Sequence, residues 1–368
     1  MQLGAPWGSG RPPPTEPAPS NCSLGGYTAM TPYVVTLDAI VCVAAVSGNL
    51  LVMVAVARFR SLRTTTNTFV VALAGADLLA ALSVPYYISF YFDVSYRCEE
   101  GPCLARYFVT NATNTMSILL LVVVSVDRFV AVKLPLRYPA LMSRRRALSL
   151  VVIIYVYSLL LNSIVLVDEL NAWTPAAAEC DLVYVLPAAT AVPLVAGHVL
   201  MALAATTGLY VGIFREAWRQ NRMAREVTGP GPRCHRPSGD TKTACMMVLI
   251  LGCNTVAMLP YALGVCLRYA YIENIYIHEN VLSELKKVNQ MFVSLYFAKS
   301  AINPVVYGWK NAEFAAAFRQ IVGCGDRSKL RRHSASAICT VSGRLRRHLD
   351  PVNELSSSAS VETIDTYL

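Results

Sequence analysis

Charged residues are scarce in this sequence of 368 residues. Lys, Arg, Asp and Glu together make up 15% of the chain, whereas 55% of its residues are hydrophobic and its mean hydropathy is +0.44. A soluble globular domain carries about 25% charged residues, so the shortage argues against a soluble protein. The composition instead predicts an integral membrane protein.

The sequence also lacks the groups that an enzyme would need. It contains no recognisable constellation of a nucleophile with an activating base and no cluster of metal ligands. We therefore expect no catalytic residues, no bound metal and no cofactor. A signal-peptide core is missing from the start of the chain as well, so we expect the first apolar run to act as its own signal anchor.

Seven apolar runs are long enough to cross the roughly 30 Å hydrocarbon layer as helices. They cover residues 34–59, 67–92, 104–132, 147–167, 183–214, 243–268 and 289–309. We therefore predict an all-α fold, in which residues 33–309 form a seven-transmembrane helix bundle in the lipid bilayer.

Basic residues cluster in three of the segments between these runs. They are Arg58, Arg60 and Arg63; Lys133, Arg137, Arg144, Arg145 and Arg146; and Arg215, Arg219, Arg222 and Arg225. The positive-inside rule places such segments in the cytoplasm, which predicts a multi-pass plasma-membrane protein with an extracellular N-terminus. Because topology accounts for the net charge of +9, we expect no nucleic-acid partner.

The two ends of the chain differ from the bundle in composition. Residues 1–32 are rich in Pro, Gly and Ser and are predicted to be a disordered extracellular tail, with a glycosylation sequon at Asn21. Residues 310–324 have the apolar spacing of an amphipathic membrane-surface helix. Cys324 ends that helix and is either palmitoylated or a free thiol, and residues 325–368 are predicted to be a disordered cytoplasmic tail.

The third run carries a polar stripe along an otherwise apolar helix. Thr110 and Arg128 are separated by 18 residues, or five turns, so they share a face roughly 27 Å apart, and Asn114 and Ser117 lie near the same line. Lipid cannot satisfy such groups. The third helix is therefore expected to lie inside the bundle.

Two ionisable residues occur deep in other runs. Asp77 of the second run and Lys299 of the seventh are each ten residues from the predicted inner end of their helix, roughly 15 Å deep. Isolated charges at that depth are costly, so we expect the two to pair. A transporter or ion pump using Asp77 and Lys299 as a relay is an alternative function.

Four cysteines are predicted to lie outside the membrane, where disulfides form. Cys103 begins the third run and Cys180 lies in the second outer loop, so a bridge between these two is expected. Cys22 and Cys98 are a further pair of candidates. Sequence alone does not settle the connectivity.

Short motifs recur at defined places in five of the seven runs. They are Asn49, Asp77, Cys103, Asp127-Arg128-Phe129, Pro260 and Asn303-Pro304-Val305-Val306-Tyr307. In this order they resemble the rhodopsin-like (class A) G-protein-coupled receptors over about 280 residues. Among the positions that depart from that family's pattern, Met258, Ala202 and Tyr155 stand in place of a tryptophan, a proline and a tryptophan.

The resemblance implies a receptor that binds an extracellular ligand and activates a heterotrimeric G protein. Arg128 would pair with Asp127 and with Asp240 at rest, and Tyr210 and Tyr307 would support the opened state. By the same resemblance the Ser-rich tail would recruit a receptor kinase and arrestin. The terminal residues Thr366–Leu368 resemble a ligand for a PDZ-domain protein.

An internal polar core is implied by the same family. It would consist of Asn49, Asp77, Ser117, Lys299 and Ser300. The family commonly has asparagine where this chain has Lys299, so we hypothesise that its ammonium group replaces a bound sodium ion beside Asp77.

The sequence excludes some classes of ligand but does not identify the ligand. Thr110 stands where aminergic receptors carry an aspartate, and Phe297 stands where opsins carry a lysine, so neither a typical monoamine nor retinal is expected. The predicted outer loops, with which Arg106, Asp181 and Arg268 are counted, have an acidic bias that modestly favours a cationic ligand. The side chains expected to line the cavity are Tyr87, Thr110, Asn111, Asn114, His198, Tyr261, Val293 and Phe297.

Overall fold

The computed structural model describes residues 31–93, 96, 98–168, 170–171, 180–228, 239–272 and 279–323. All regular structure in these residues is helical. The long helices are α1 (Thr31–Arg58), α2 (Thr65–Phe92), α3 (Glu100–Lys133), α4 (Arg144–Asn162), α5 (His198–Thr228), α6 (Gly239–Ile272), α7 (Glu279–Lys310) and the shorter α8 (Ala312–Ile321). The all-α prediction is confirmed.

Short helical segments connect some of these elements. A four-residue helix, Tyr138–Leu141, follows α3, and another, Leu182–Val185, precedes the fifth span. The fifth span itself begins at Ala188–Val192 and passes through a π-helical turn, Pro193–Gly197, into α5. The predicted start at residue 183 is therefore wrong, because Leu186 and Pro187 adopt extended backbone, as is favoured around a proline.

Six of the long helices have the length and composition of membrane spans, namely α1 to α6. The seventh, α7, is 32 residues long, which corresponds to roughly 48 Å of helix. It carries the charged residues Glu284, Lys287 and Lys299. It nevertheless packs against α1, α2 and α6 and completes a seven-helix bundle.

The burial pattern puts α3 at the centre of the bundle. In its most apolar stretch 67% of the residues are buried, against 22% in α1 and in α4. It contacts α2, α4, α5 and α6. The buried positions of α1 recur every three or four residues, so one stripe of that helix faces protein and the remainder presents apolar side chains outward. The prediction of a central third helix is confirmed.

Caps and prolines fix the ends and bends of several helices. The hydroxyl oxygen of Thr64 accepts a hydrogen bond from the Asn67 amide at the start of α2, and Ser143 does the same for Arg146 at the start of α4. Prolines interrupt α2, α6 and α7, which removes one backbone hydrogen bond from each.

The two ends of the bundle carry different features. The disulfide end contains the bond between Cys103 and Cys180, and the arginine end contains Arg128 at the other end of α3. The chain divides into two compact units, Met1–Ala315, which includes α1 to α7, and Ala316–Leu368, which includes the second half of α8.

Candidate functional site

At the arginine end, Asp127 and Arg128 form a buried ion pair. The Arg128 guanidinium donates from Nη2 and Nε to Asp127 Oδ2 at 2.5 and 3.0 Å. Asp127 is fully buried and Arg128 is 7% exposed. A charged pair with so little contact to solvent depends on further hydrogen bonds to offset its desolvation.

Thr66 and Tyr138 supply these further bonds. The Thr66 hydroxyl donates to Asp127 Oδ2 at 2.8 Å, and the Tyr138 hydroxyl donates to Asp127 Oδ1 at 2.8 Å. Arg128 Nη2 also contacts both hydroxyls. Burial raises the pKa of Tyr138, so its phenol keeps the proton that it donates. Sequence analysis missed both residues, because neither spacing nor periodicity links them to Asp127.

The other residues predicted to act at this end have different surroundings. Phe129 lies in a small apolar cluster with Val132, Ile213 and Tyr210, which joins α3 to α5. Its ring occupies the space that a Cβ at position 212 would need, so the glycine at that position permits the contact. Asp240 belongs to α6, but its side chain lies outside the described part of the chain, so its pairing with Arg128 stays a prediction.

A cavity of about 670 Å³ opens beside this ion pair. Its described lining comes from the start of α2, from α3 and α6, and from the junction of α7 with α8. Arg128 and Tyr138 both reach its wall. The ion pair therefore borders a space that an inserted segment of another protein could enter.

In the middle of the bundle, Asp77 accepts three hydrogen bonds. Ser117 of α3 and Ser300 of α7 donate to Oδ1 at 2.9 and 3.0 Å, and Asn303 of α7 donates to Oδ2 at 2.6 Å. The Asn303 carbonyl oxygen accepts a bond from Asn254 of α6 at 3.0 Å. This network connects four helices, and Asn254 was not predicted to belong to it.

Asn49, Pro304 and Tyr307 extend the contacts of α7. Asn49 of α1 donates to the Ser300 carbonyl at 2.9 Å, and Pro304 packs against the α-carbon face of Gly48. Tyr307 is 2% exposed and stacks on Phe314 at a centroid distance of 5.5 Å. All three therefore fix α7 against its neighbours.

Lys299 does not pair with Asp77 as we expected. Its side chain is 1% exposed, yet Nζ has no hydrogen-bond partner within the described residues. Nζ lies over the face of the Tyr296 ring, 5.4 Å from its centroid. The predicted ion pair is wrong as a direct contact, because two serines and one asparagine already occupy the carboxylate oxygens of Asp77.

At the disulfide end, Cys103 and Cys180 are bonded, with Cα atoms 5.6 Å apart. The bond fastens the segment before α5 to the start of α3 and confirms the predicted pairing. Cys98 is disulfide-bonded as well, whereas Cys22 lies outside the described residues. Asn21, Cys324 and Thr366–Leu368 lie outside them too, so the modifications and the PDZ contact predicted there stay predictions.

A cavity of about 110 Å³ lies beneath the bonded segment. Five of its thirteen lining residues are aromatic: Tyr87, Phe90, Tyr91, Tyr107 and Tyr261. Asn289 and Gln290 of α7 and Leu182 of the bonded segment also line it. Such a mixture of aromatic and hydrogen-bonding groups is typical of a small-molecule site.

Three of the eight predicted lining residues, Tyr87, Tyr261 and Val293, do line this cavity. The other five, Thr110, Asn111, Asn114, His198 and Phe297, are not among its lining residues. The ring nitrogen Nδ1 of His198 lies 2.9 Å from the backbone carbonyl oxygen of Leu194 in the same span. Contact of these five side chains with a ligand stays a prediction.

Three charged residues line the cavity, although the sequence predicted them to belong to the outer loops. They are Arg106, Asp181 and Arg268. Arg268 donates to Asp181 at 2.6 Å, and both side chains are less than a tenth exposed. Arg106 stacks on Tyr87, with its Cζ atom 3.7 Å from the ring centroid. The modest preference for a cation, inferred from loop charges, therefore does not describe the cavity itself.

No group of His, Cys, Asp or Glu among the residues with described positions could hold a metal ion. The bundle thus contains a cavity at the disulfide end, a hydrogen-bond network around Asp77 in the middle and a buried ion pair at the arginine end.

Comparison with known proteins assigns the class. The sequence model of the 7 transmembrane receptor (rhodopsin family) matches residues 48–307. The chain belongs to this family, as the motif order predicted. It is therefore a multi-pass plasma-membrane receptor that signals through G proteins, and not a member of an enzyme family.

Individual relatives are distant. The chain is 26% identical to adenosine receptor A2b of Gallus gallus over 80% of its own length and 89% of that protein. It is 27% identical to the histamine H2 receptor of Canis lupus familiaris over 76% of both chains. It is 29% identical to the alpha-1A adrenergic receptor of Oryzias latipes, over 76% of its own length and 64% of that receptor. These relatives are named for different ligands, so similarity does not select one.

Proposed function

We propose that this protein is a cell-surface receptor with its disulfide end outside the cell and its arginine end in the cytoplasm. A ligand enters the cavity lined by Tyr87, Tyr261 and Val293, and a heterotrimeric G protein binds at the arginine end when the helices there separate. The basic segments beside that end support this orientation, since positive loops remain cytoplasmic.

The ion pair of Asp127 and Arg128 is the observation that carries the proposal. It is held closed by Thr66 and Tyr138 beside a cavity large enough to admit a partner. Opening would expose Arg128 to that partner, and ligand at the other end would shift the balance between closed and open forms. The network from Asp77 through Asn303 to Asn254 provides a physical connection from α2 to α6.

A transporter that uses Asp77 and Lys299 as a relay receives no support. Asp77 is satisfied by three hydrogen bonds, and the Lys299 ammonium has no partner among the described groups. The family match in addition favours a receptor. The tail partners, arrestin, a receptor kinase and a PDZ-domain protein, remain part of the proposal on the basis of sequence motifs alone.

The test is nucleotide exchange on a panel of purified G proteins, with the receptor in lipid nanodiscs and a library of small molecules as candidate ligands. At least one ligand should accelerate exchange, and Arg128→Ala should abolish the acceleration without preventing ligand binding. Uptake of a solute into receptor-containing vesicles, with no effect on any G protein, would instead identify a transporter.

A further inference from the structure

The cavity at the disulfide end holds one cation that the described structure does not neutralise. Of the three charged residues in its wall, Arg268 and Asp181 neutralise each other at 2.6 Å. Arg106 has no ion-pair partner within the described ranges. A buried or partly buried charge is costly unless a counter-charge accompanies it, so the cavity is incomplete without an anion.

The described surroundings of Arg106 leave its Nε donor without an acceptor, although its guanidinium also has a hydrogen bond with Tyr87. The face of the guanidinium is covered by Tyr87 at 3.7 Å and by Phe90 at 4.6 Å, measured from Cζ to the ring centroids. Its Nε is buried and has no acceptor in the part of the chain that the structure describes. Aromatic stacking satisfies the face of a guanidinium, whereas its N–H donors lie in the plane and need oxygen atoms.

Two further polar atoms in the wall of the cavity are unsatisfied. The Oδ1 atom of Asn289, an acceptor, and the Nε atom of Arg268, a donor, are also buried without hydrogen-bond partners, again counting described residues. Both residues line the same cavity as Arg106. The unsatisfied atoms are therefore two guanidinium donors and one amide oxygen, near tyrosine and phenylalanine rings.

We propose that the ligand is a small organic acid, whose carboxylate binds Arg106 and whose apolar or aromatic body lies between Tyr87, Tyr107 and Tyr261. A carboxylate is planar and can accept two parallel N–H bonds from a guanidinium, which adds both strength and directional selectivity. The cavity volume of about 110 Å³ limits the body to a compact group. This proposal deepens the receptor function above and rests on it.

The proposal is tested by the thermal stability of the purified full-length receptor, a readout that requires no G protein. The probes are 3-phenylpropanoate, its primary amide and the matching amine, 3-phenylpropylamine, each at millimolar concentration. Ligand that binds only the folded state raises the melting temperature. The acid should raise it, and the amide and amine should raise it less or not at all.

Variants assign the effect to the two arginines. Arg106→Gln should weaken the apparent affinity for the acid at least about tenfold. The affinity of Arg106→Lys should lie between those of Arg106→Gln and the wild type, since the charge remains but the planar pair of donors is lost. Asp181→Asn should raise the affinity for the acid, because the Arg268 guanidinium is then freed for the anion. This last variant keeps the test decisive if substitutions at Arg106 prevent folding.

Three outcomes overturn the proposal: no stabilisation by the acid, equal stabilisation by the amide or the amine, or an unchanged affinity in both Arg106→Lys and Asp181→Asn. Because binding is measured directly, acid binding without G-protein activation would refute the receptor function and not the ligand class. Activation of a G protein by amines and not by acids would refute the ligand class and not the receptor function.

Discussion

Asn254 of α6 donates a hydrogen bond to the side-chain oxygen of Asn303 of α7 at 3.0 Å. Asn303 uses its own amide group to reach Asp77 at 2.6 Å. The inner part of α6 is therefore tied by two consecutive side-chain bonds to α2, and any outward movement of α6 must break the first of them.

Replacement of Asn254 by leucine should raise the basal activity of the receptor. The change removes the tie to Asn303 and puts a somewhat larger apolar side chain in its place, and a buried hydrogen bond is worth roughly 1 kcal/mol. We expect an increase of about fivefold in ligand-free nucleotide exchange. The control is Ser158→Ala, because the buried hydroxyl of Ser158 has no hydrogen-bond partner among the described residues. Equal basal rates in the two variants would contradict the proposed tie.

Replacement of Tyr138 by phenylalanine should also favour the open form. It deletes the 2.8 Å hydrogen bond to Asp127 and keeps the ring. A hydrogen bond to a charged group contributes about 1.5–3 kcal/mol, so ligand-free exchange should rise about tenfold or more. The matched control is Tyr157→Phe, in which the tyrosine is exposed on α4. If Tyr138→Phe behaves like this control, Tyr138 does not hold the ion pair closed.

The receptor should not respond to sodium. The ammonium group of Lys299 is buried in the layer of Asp77 and Ser300, where a second cation would be repelled. The melting temperature of the purified receptor should be the same in NaCl and KCl at about 0.15 M. In Lys299→Asn, NaCl should raise it above the value in KCl by a few degrees.

Stabilisation of the wild-type receptor by sodium to the same extent as Lys299→Asn would refute the prediction that Lys299 excludes the ion. Such a result would mean that the lysine leaves room for sodium beside Asp77. Basal nucleotide exchange in the two salts provides a second readout, since a bound ion that favours the closed form would lower it.

Two glycines of α6 provide a matched pair for the disulfide-end cavity. A Cβ at position 264 would collide with the side chain of Asn289, whereas a Cβ at position 252 would meet open space. Gly252→Ala should stabilise the protein by about 0.4–1 kcal/mol through the unfolded state. In Gly264→Ala the free energy of unfolding should lack this gain and fall by about 1 kcal/mol more, because Asn289 must turn into the cavity.

Thermal unfolding in detergent gives the comparison, with the two variants prepared side by side. The difference should appear as a lower melting temperature for Gly264→Ala than for Gly252→Ala. Equal melting temperatures would show that Asn289 moves aside at no cost and that the wall of the cavity is soft at this point.

The helices and the motif residues could be predicted from the sequence, since each depends on local pattern. Apolar length predicts the spans, and charge between spans predicts which cysteines share a compartment, so the bond of Cys103 to Cys180 was foreseen. The interior position of α3 followed from its stripe of polar residues. In all these cases a short stretch of chain contains the physical reason.

The partners of the ion pairs could not be predicted in this way. Asp127 is bonded by Thr66 and Tyr138, which belong to different elements and have no common pattern. Equal depths were predicted for Asp77 and Lys299, but depth along the membrane does not determine the direction of a side chain around its helix. Arg106 and Arg268 were counted as loop charges because they lie near helix ends, although both face the cavity.

The short segment between the disulfide and α5 has a mechanical consequence. Cys180 is covalently joined to α3, and the adjacent Asp181 holds Arg268 of α6 at 2.6 Å. Tyr269 of α6 also donates to the carbonyls of Leu182 and Leu186, at 3.0 and 2.8 Å. The part of α6 at the disulfide end is thus a fixed pivot, and α6, with 34 residues or roughly 51 Å of length, acts as a lever. A rotation of a few degrees at the pivot becomes a displacement of several ångströms at the opposite end.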